Sequence, residues 1–406
     1  MLGILNLPSA VSAASTPSSW EAWLSQQINQ HPDVVAAKEK MYAALSLADG
    51  REMPLYNPEL ETEFDREGQS NNYRIGVKQT FDLWGKRDVR QRQASYSREL
   101  ARQSFEFTVQ KKTAEALLSL IEWQAANQQA SLAREQEAQL STLIELINIR
   151  QKTGDLGLLD AELAYLNLSK NLSTTAKNLA QLKQIEATLR QQLPQWSPES
   201  EQIPEQLWVT KNSLSESPNN VISSIKDYPT VRAAKAEWDG LRQSAELARL
   251  ETKAEPTFGI SAGRVETDGS NVIGLTMSIP LNVRNNFRYE ALSANQQVLS
   301  AEARYQAVMR KQQFSIQSSQ SVLQEYSQRY DRWQTIMKGR QERSKNLLDK
   351  QWQSGDMNTS AYLLALQQRA EGLAAGIELQ MQFQLANIDW LLQAGRINTA
   401  LQQLQK

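Results

Sequence analysis

The chain has 406 residues, and 44 Lys and Arg against 45 Asp and Glu give a formal charge of −1, so no chain-wide basic field exists to hold nucleic acid. There is no cysteine and a single histidine, His31, which excludes disulfide scaffolds, thiol nucleophiles and cysteine zinc sites. His31 precedes Pro32 on a polar stretch and is not read as catalytic. Low Gly and Pro contents (17 and 12), abundant Gln and a mean hydropathy of −0.54 favour long solvated helices over a compact globule.

Residues 1–19 open on a short apolar run, Met1 to Leu7, then Pro8, and Val11-Ser12-Ala13 places small residues where a signal peptidase inspects. A signal-peptide remnant or an irregular N-terminus is expected. No cysteine follows to take a lipid, and nowhere do about 18 apolar residues run together, so no helix should cross a bilayer. If this chain crosses a membrane, it does so as strands.

An internal duplication sets the organisation. His31-Pro32-Asp33-Val34-Val35-Ala36-Ala37-Lys38 is echoed by Tyr228-Pro229-Thr230-Val231-Arg232-Ala233-Ala234-Lys235. Pro58 and Pro256, Leu83 and Leu281, and the pairs Gly154-Asp155 and Gly355-Asp356 follow in the same order and near-constant spacing. Repeat 1 is expected over 20–196, with a strand hairpin at 59–83, a long helix at 86–153 and a return helix at 158–193. Repeat 2 is expected over 228–393, with a hairpin at 257–282, a long helix at 284–354 and a return helix at 358–392. A proline-bearing irregular connection (197–227) joins them, and 394–406 is a C-terminal tail.

Within each hairpin the side chains alternate. Leu60, Thr62 and Phe64 oppose Glu59, Glu61, Glu63 and Asp65, and Tyr73, Ile75, Val77 and Phe81 oppose Arg74, Gly76, Lys78 and Thr80. Phe258, Ile260 and Ala262 oppose Gly259, Ser261 and Gly263, and Ile273, Leu275 and Met277 oppose Gly274, Thr276 and Ser278. The alternation alone would suit a small soluble sheet under a helix, but strands of about 9–11 residues with a wholly apolar outer face match what a transmembrane barrel requires. The helix from Lys86 has no Pro or Gly for about 100 Å of rise. Its counterpart, interrupted only by Gly339, carries a seam at Ile316, Ser319, Leu323, Tyr326, Tyr330, Trp333, Met337, Arg340, Ser344 and Leu347, the three-and-four spacing of a coiled coil. Four strands cannot close a barrel, so two or three chains must contribute.

Asn57-Pro58-Glu59-Leu60 opening the first hairpin, Gln79-Thr80-Phe81-Asp82-Leu83-Trp84-Gly85-Lys86-Arg87 closing it, Ser278-Ile279-Pro280-Leu281 closing the second, and the Gly-Asp turns together resemble the TolC family of outer-membrane efflux proteins. The resemblance covers about residues 20–392. The Phe81-to-Arg87 run is most similar to the branch serving heavy-metal pumps (cobalt-zinc-cadmium or copper-silver) of the resistance-nodulation-division type. It implies a mainly α fold with a small β part: a duplicated long-helix bundle plus four strands per chain, forming a 12-stranded trimeric β-barrel continuous with an α-helical tunnel. It further implies a homotrimer set in outer-membrane lipid and extending into the periplasm, a periplasmic adaptor (membrane fusion) protein, an inner-membrane pump, and passive conduction of heavy-metal cations or, alternatively, drugs and other small molecules. No P-loop, HExxH helix or nucleophile elbow occurs, so neither an enzyme nor a cofactor or metal site is expected. A periplasmic coiled-coil tether would explain the helices but not two matched hairpins.

Two sets of residues carry the functional expectations. Glu59, Glu61, Glu63, Asp65, Arg74 and Lys78 should line the channel lumen. At the periplasmic tip, Gly154, Asp155, Gly355 and Asp356 should form turns that either cap the returning helices or make up a gate and adaptor contact, flanked by Arg150, Lys152, Lys350 and Trp352.

Overall fold

The computed structural model describes residues 20–67, 70–152, 158–199, 204, 225–265 and 269–402. In chain order these form helices α1 (Trp20–Gln30) and α2 (Pro32–Glu52), strands β1 (Glu59–Glu67) and β2 (Ser70–Thr80), and helices α3 (Lys86–Lys152) and α4 (Leu158–Gln192). A short 3-10 turn (Ile225–Asp227) leads into α5 (Pro229–Glu251), β3 (Thr257–Val265), β4 (Asn271–Ser278), α6 (Arg288–Met337), α7 (Arg340–Gln353), α8 (Thr359–Gln393) and α9 (Ile397–Gln402). The 394–406 tail is therefore partly helical, and Gly154 and Asp155 lie outside the described residues.

The chain divides into two compact units, each drawing on both repeats: residues 35–108 with 219–315, and residues 1–34 with 109–218 and 316–406.

The first unit holds all four strands. They pair in the order β1-β2-β3-β4, every pair antiparallel, so the two hairpins of the duplication join along β2 and β3 into one sheet. Among the described residues the outer sides of β1 and β4 have no strand partner. Beside the sheet, α2 and α5 are bound to the first turns of α3 and to α6 by charged pairs. Arg98 reaches Asp49 at 2.6 Å and Glu52 at 2.5 Å, Arg232 reaches Glu99 at 2.6 Å, and Arg304 reaches Glu237 at 2.7 Å. Such surface pairs contribute little singly, and the stacked rings of Trp238 and Tyr305, 5.6 Å apart, add apolar contact.

The second unit is all helical among the described residues. Gln27 is buried and satisfied at both ends: its Nε2 donates to Gln195 Oε1 at 2.7 Å, and the Gln195 N–H donates to its Oε1 at 3.1 Å. His31 has a structural role. Its Nδ1 accepts the Asp33 N–H at 3.1 Å at the start of α2, and Asp33 in turn pairs with Lys112 at 2.7 Å.

The second long helix departs from the continuous element expected over 284–354. It begins at Arg288 and ends at Met337, and Gly339, at φ +67, starts a separate helix. A left-handed residue does not continue the α-helical phase, so the seam slips there. Ile316, Ser319 and Leu323 are buried and Tyr326, Tyr330, Trp333 and Met337 half-buried, as spacing predicts. Beyond the break Arg340 and Leu347 are exposed, while Leu348 and Trp352 turn inward. Between α6 and α8, Trp333 lies on the bare Cα of Gly376, where any Cβ would sit 1.9 Å from the ring, and Tyr330 stacks on Phe383 at 5.7 Å.

Candidate functional site

The register of the sheet sorts its side chains into two contrasting faces. One row set carries Glu59, Glu61, Glu63 and Asp65 of β1, Asn72, Arg74, Gly76, Lys78 and Thr80 of β2, then uncharged and mostly small residues, Thr257, Gly259, Ser261, Gly263 and Val265 of β3 and Val272, Gly274, Thr276 and Ser278 of β4. All six expected lumen residues therefore share one face. Pairing across β1 and β2 changes their electrostatics: Arg74 Nη1 donates to Glu63 Oε2 at 2.8 Å and Lys78 Nζ to Glu61 Oε1 at 2.5 Å. Among the described residues Glu59 and Asp65 have no such partner. Among the described side chains, two neutralised pairs and two free carboxylates, Glu59 and Asp65, leave the face net negative.

The opposite face is apolar and exposed. Leu60, Phe64, Tyr73, Ile75, Val77, Phe258, Ile260, Ile273, Leu275 and Met277 all project from it, Leu275 at 85% exposure and Ile273 at 78%. So large a contiguous apolar surface marks a membrane or partner surface. Aromatic pairs bound it at both ends: Phe64 with Tyr73, centroids 5.1 Å apart, near the hairpin turns, and Phe81 with Phe258, 5.9 Å apart, near the helices. From Tyr73 to Phe81 the chain climbs about 27 Å, which a tilt of about 40° reduces to about 21 Å of height. That approaches the band of about 25 Å that lipid-facing barrels present.

The junction of strands and helices explains the motif that ends the first hairpin. Asp82 accepts the backbone N–H groups of Lys86 at 2.9 Å and Arg87 at 2.7 Å, starting α3, and Gly85 supplies the left-handed turn at φ +70. Burial pushes the Asp82 carboxyl up, but these N–H groups outweigh it and hold it below the usual carboxylate range. Trp84 Nε1 donates to the Ala254 carbonyl at 2.8 Å, and Lys86 Nζ lies 3.4 Å from the buried Glu255, which also accepts from the Tyr56 hydroxyl. Asp82, Trp84, Gly85 and Lys86 thus hold the two repeats together where strand becomes helix.

At the tip turn of repeat 2, Gly355 is left-handed at φ +82; its N–H donates to the Trp352 carbonyl, and Met357 N–H reaches back to the Gln351 carbonyl. The cap of the returning helix is Asn358, whose side chain accepts the Ala361 N–H at 2.8 Å. Asp356, for which capping was one of two readings, instead accepts the Ser354 hydroxyl at 2.7 Å and is exposed. Trp352, expected as a surface contact, is buried: it stacks on Tyr362, centroids 5.0 Å apart, and its Nε1 donates to Thr359 at 3.3 Å. Tyr362 donates to Asp349 at 2.6 Å, and burial, then that bond, raises its pKa and keeps the phenol neutral. Leu143, Ile144, Ile147, Ala161 and Ala164 complete this core. Ser360 donates to Asp160 at 2.6 Å, joining equivalent first turns of the two return helices. Lys152 and Lys350 are exposed, while the Arg150 side chain, like Gly154 and Asp155, lies outside the described residues. Behind the tip, an amide-rich cleft of about 330 Å³ opens between α3, α4 and α8, lined by Gln136, Asn167, Asn171, Gln367 and Arg369 among others.

No described helix is long and apolar enough to cross a membrane, and no group of three or more His, Asp or Glu could hold a metal among the described residues.

Residues 23–193 match the family described as outer membrane efflux protein. No curated protein matches the chain in sequence. Solved structures match it in fold: the Campylobacter jejuni CmeC outer membrane channel at TM-score 0.76 and 13% identity, covering 100% of this chain and 98% of that one. The outer membrane protein VceC of Vibrio cholerae matches at 0.74 and 13% identity, covering 92% and 96%. CusC, solved in a study of folding and transmembrane channel formation, matches at 0.72 and 14% identity, covering 94% and 91%. The whole chain thus has the fold of these outer-membrane channels.

Proposed function

We propose that three copies of this chain close their sheets into one 12-stranded barrel and serve as the exit duct of a tripartite efflux system. The observation that carries this is the sheet itself, with an exposed apolar face on one side, a polar face on the other, and unpartnered strands at both edges. In lipid an open edge leaves backbone groups without hydrogen-bond partners, so the edges must close. Four alternating strands make β1 and β4 antiparallel, so β4 of one copy meets β1 of the next in the same antiparallel sense, and any ring of copies closes without a break. Three copies give a barrel wide enough to hold water.

On this basis Glu59, Glu61, Glu63, Asp65, Arg74 and Lys78 face the lumen, and Glu59 and Asp65 form rings of three carboxylates near its two ends. The tip turns around Gly154, Asp155, Gly355 and Asp356, with Arg150, Lys152 and Lys350 beside them, meet a periplasmic adaptor that links the duct to an inner-membrane pump of the resistance-nodulation-division type. Opening follows if that adaptor binds the open arrangement better than the closed one. Conduction is passive, so no catalytic group is required. Heavy-metal cations are the cargo that the family resemblance favours, and the net-negative inner face agrees with cations. Organic small molecules are the second reading: Asp82, Trp84, Gly85 and Lys86, in the run that suggests the metal branch, have a structural task at the joint, which says nothing of cargo.

Cell fractionation with detergent extraction tests the assembly. A heat-sensitive trimer in the outer-membrane fraction supports it, and a stable, detergent-free monomer refutes it.

A further inference from the structure

We propose that Arg66 and Arg264 form a belt that binds the phosphate groups of lipids in the outward-facing leaflet. The inference rests on the barrel described above. Every acidic side chain of the sheet that is described lies on its polar face or outside the strands, and the apolar face carries two charges only, the guanidiniums of Arg66 and Arg264. Both are exposed, and both sit at the hairpin ends of their strands. In register, Arg264 stands opposite Tyr73, within the aromatic row of Phe64 and Tyr73, and Arg66 stands opposite Asn71, one row further out. At the helix ends of the same strands this face carries Leu60, Val77, Phe258 and Met277 and no charge. The asymmetry is therefore along the strand as well as across the sheet.

Three physical arguments turn this placement into a site. A lipid-facing Arg is costly at mid-bilayer and nearly free at the interface, so these positions lie at headgroup depth. The cations of the polar face, Arg74 and Lys78, each have a carboxylate partner, whereas Arg66 and Arg264 have no ion-pair partner among the described residues. Arginine's planar fork matches phosphate oxygens in a bidentate way that an ammonium does not. Two strands and two residues apart, the guanidiniums are anchored about 12 Å from each other, so a lipid bearing more than one phosphate, or two neighbouring lipids, reaches both. The strand ends that carry Arg66 and Arg264 are opposite those that join the helices, which on the reading above occupy the periplasm, so the leaflet is the outward one.

The test uses the intact detergent-solubilised trimer, first shown to conduct in planar bilayers, and native mass spectrometry of trimers mixed with phosphatidic acid, a fatty acid of the same chain length, or inorganic phosphate. Wild-type trimers should retain phosphatidic acid, and Arg66→Gln with Arg264→Gln should lower retention at least about tenfold while conductance is unchanged. Equal retention by wild type and the double variant, equal retention of the fatty acid, or displacement of the lipid by millimolar inorganic phosphate would each overturn the belt while leaving the duct standing. A chain that inserts no conducting trimer removes the barrel and the belt together.

Discussion

Among the described side chains Glu59 and Asp65 are the inward carboxylates of the sheet that lack a partner, and Glu59→Gln with Asp65→Asn should lower the duct's preference for cations. Twelve strands about 4.8 Å apart and tilted about 40° enclose a cylinder of radius about 12 Å. Three carboxylates at that distance in water attract a monovalent cation on the axis by about 1 kcal/mol before screening. Salt leaves about 0.7 kcal/mol of this at 0.01 M, where the Debye length is about 30 Å, and about 0.2 kcal/mol at 0.15 M. Cation and anion then differ by about 1.4 kcal/mol in dilute salt and about 0.5 kcal/mol at physiological salt, a selectivity of about tenfold falling to about twofold. Reversal potentials of single trimers under a salt gradient read this directly. Glu61→Gln with Lys78→Gln deletes an ion pair of 2.5 Å and no net charge, and should leave the potential in place. An unchanged potential in the Glu59 and Asp65 variant, or an equal loss in the pair deletion, refutes the assignment of selectivity to the free carboxylates.

Removing the Asp82 cap by Asp82→Ala should destabilise the trimer by about 1–2 kcal/mol at neutral pH, measured as its dissociation temperature. Because this carboxyl is held below its ordinary value, its contribution is present well above about pH 4 and disappears as pH falls through the depressed pKa, so wild type and variant should converge in acid. Gly376→Ala should cost about 1–3 kcal/mol by driving Trp333 out of its seat, and Trp333→Leu in the same chain should recover much of it. At the tip, Asn358→Ala should lower stability by about 1 kcal/mol, whereas Asp356→Ala should leave it unchanged and alter resting conductance or adaptor binding. If Asp356→Ala changes neither conductance nor adaptor affinity, the exposed aspartate takes no part in the gate.

Alternation makes the strand faces legible in the amino-acid sequence itself, because a period of two assigns each residue to one side of a sheet. Glu59 to Asp65 are therefore seen together, but the pairing of Glu61 with Lys78 depends on the hairpin register, which alternation leaves free in steps of two. Helix lengths are legible from the absence of Gly and Pro, and Gly339 is visible as an interruption. Its consequence is not: a single left-handed residue moves every later position around the helix, which turns Leu347 outward and Trp352 inward. The burial of Trp352 and the choice of Asn358 over Asp356 as the cap are illegible for similar reasons. An aromatic near a turn looks like a contact residue until the helix phase is known, and either Asp356 or Asn358 could cap α8 by composition. Asn358 takes the task because it immediately precedes the helix in extended backbone, with its side chain on Ala361.

Because the chain contains no cysteine, single cysteines placed through β1 give a clean readout of its two faces in a membrane. With a membrane-impermeant thiol reagent acting on the reconstituted duct, substitutions at Glu59, Glu61 and Glu63 should label rapidly from the water-filled lumen, and those at Leu60, Thr62 and Phe64 should be protected by lipid. Labelling that alternates with a period of two is the expected result. Equal labelling at all six positions would mean that β1 has water on both sides, and that this chain does not span a membrane as a barrel.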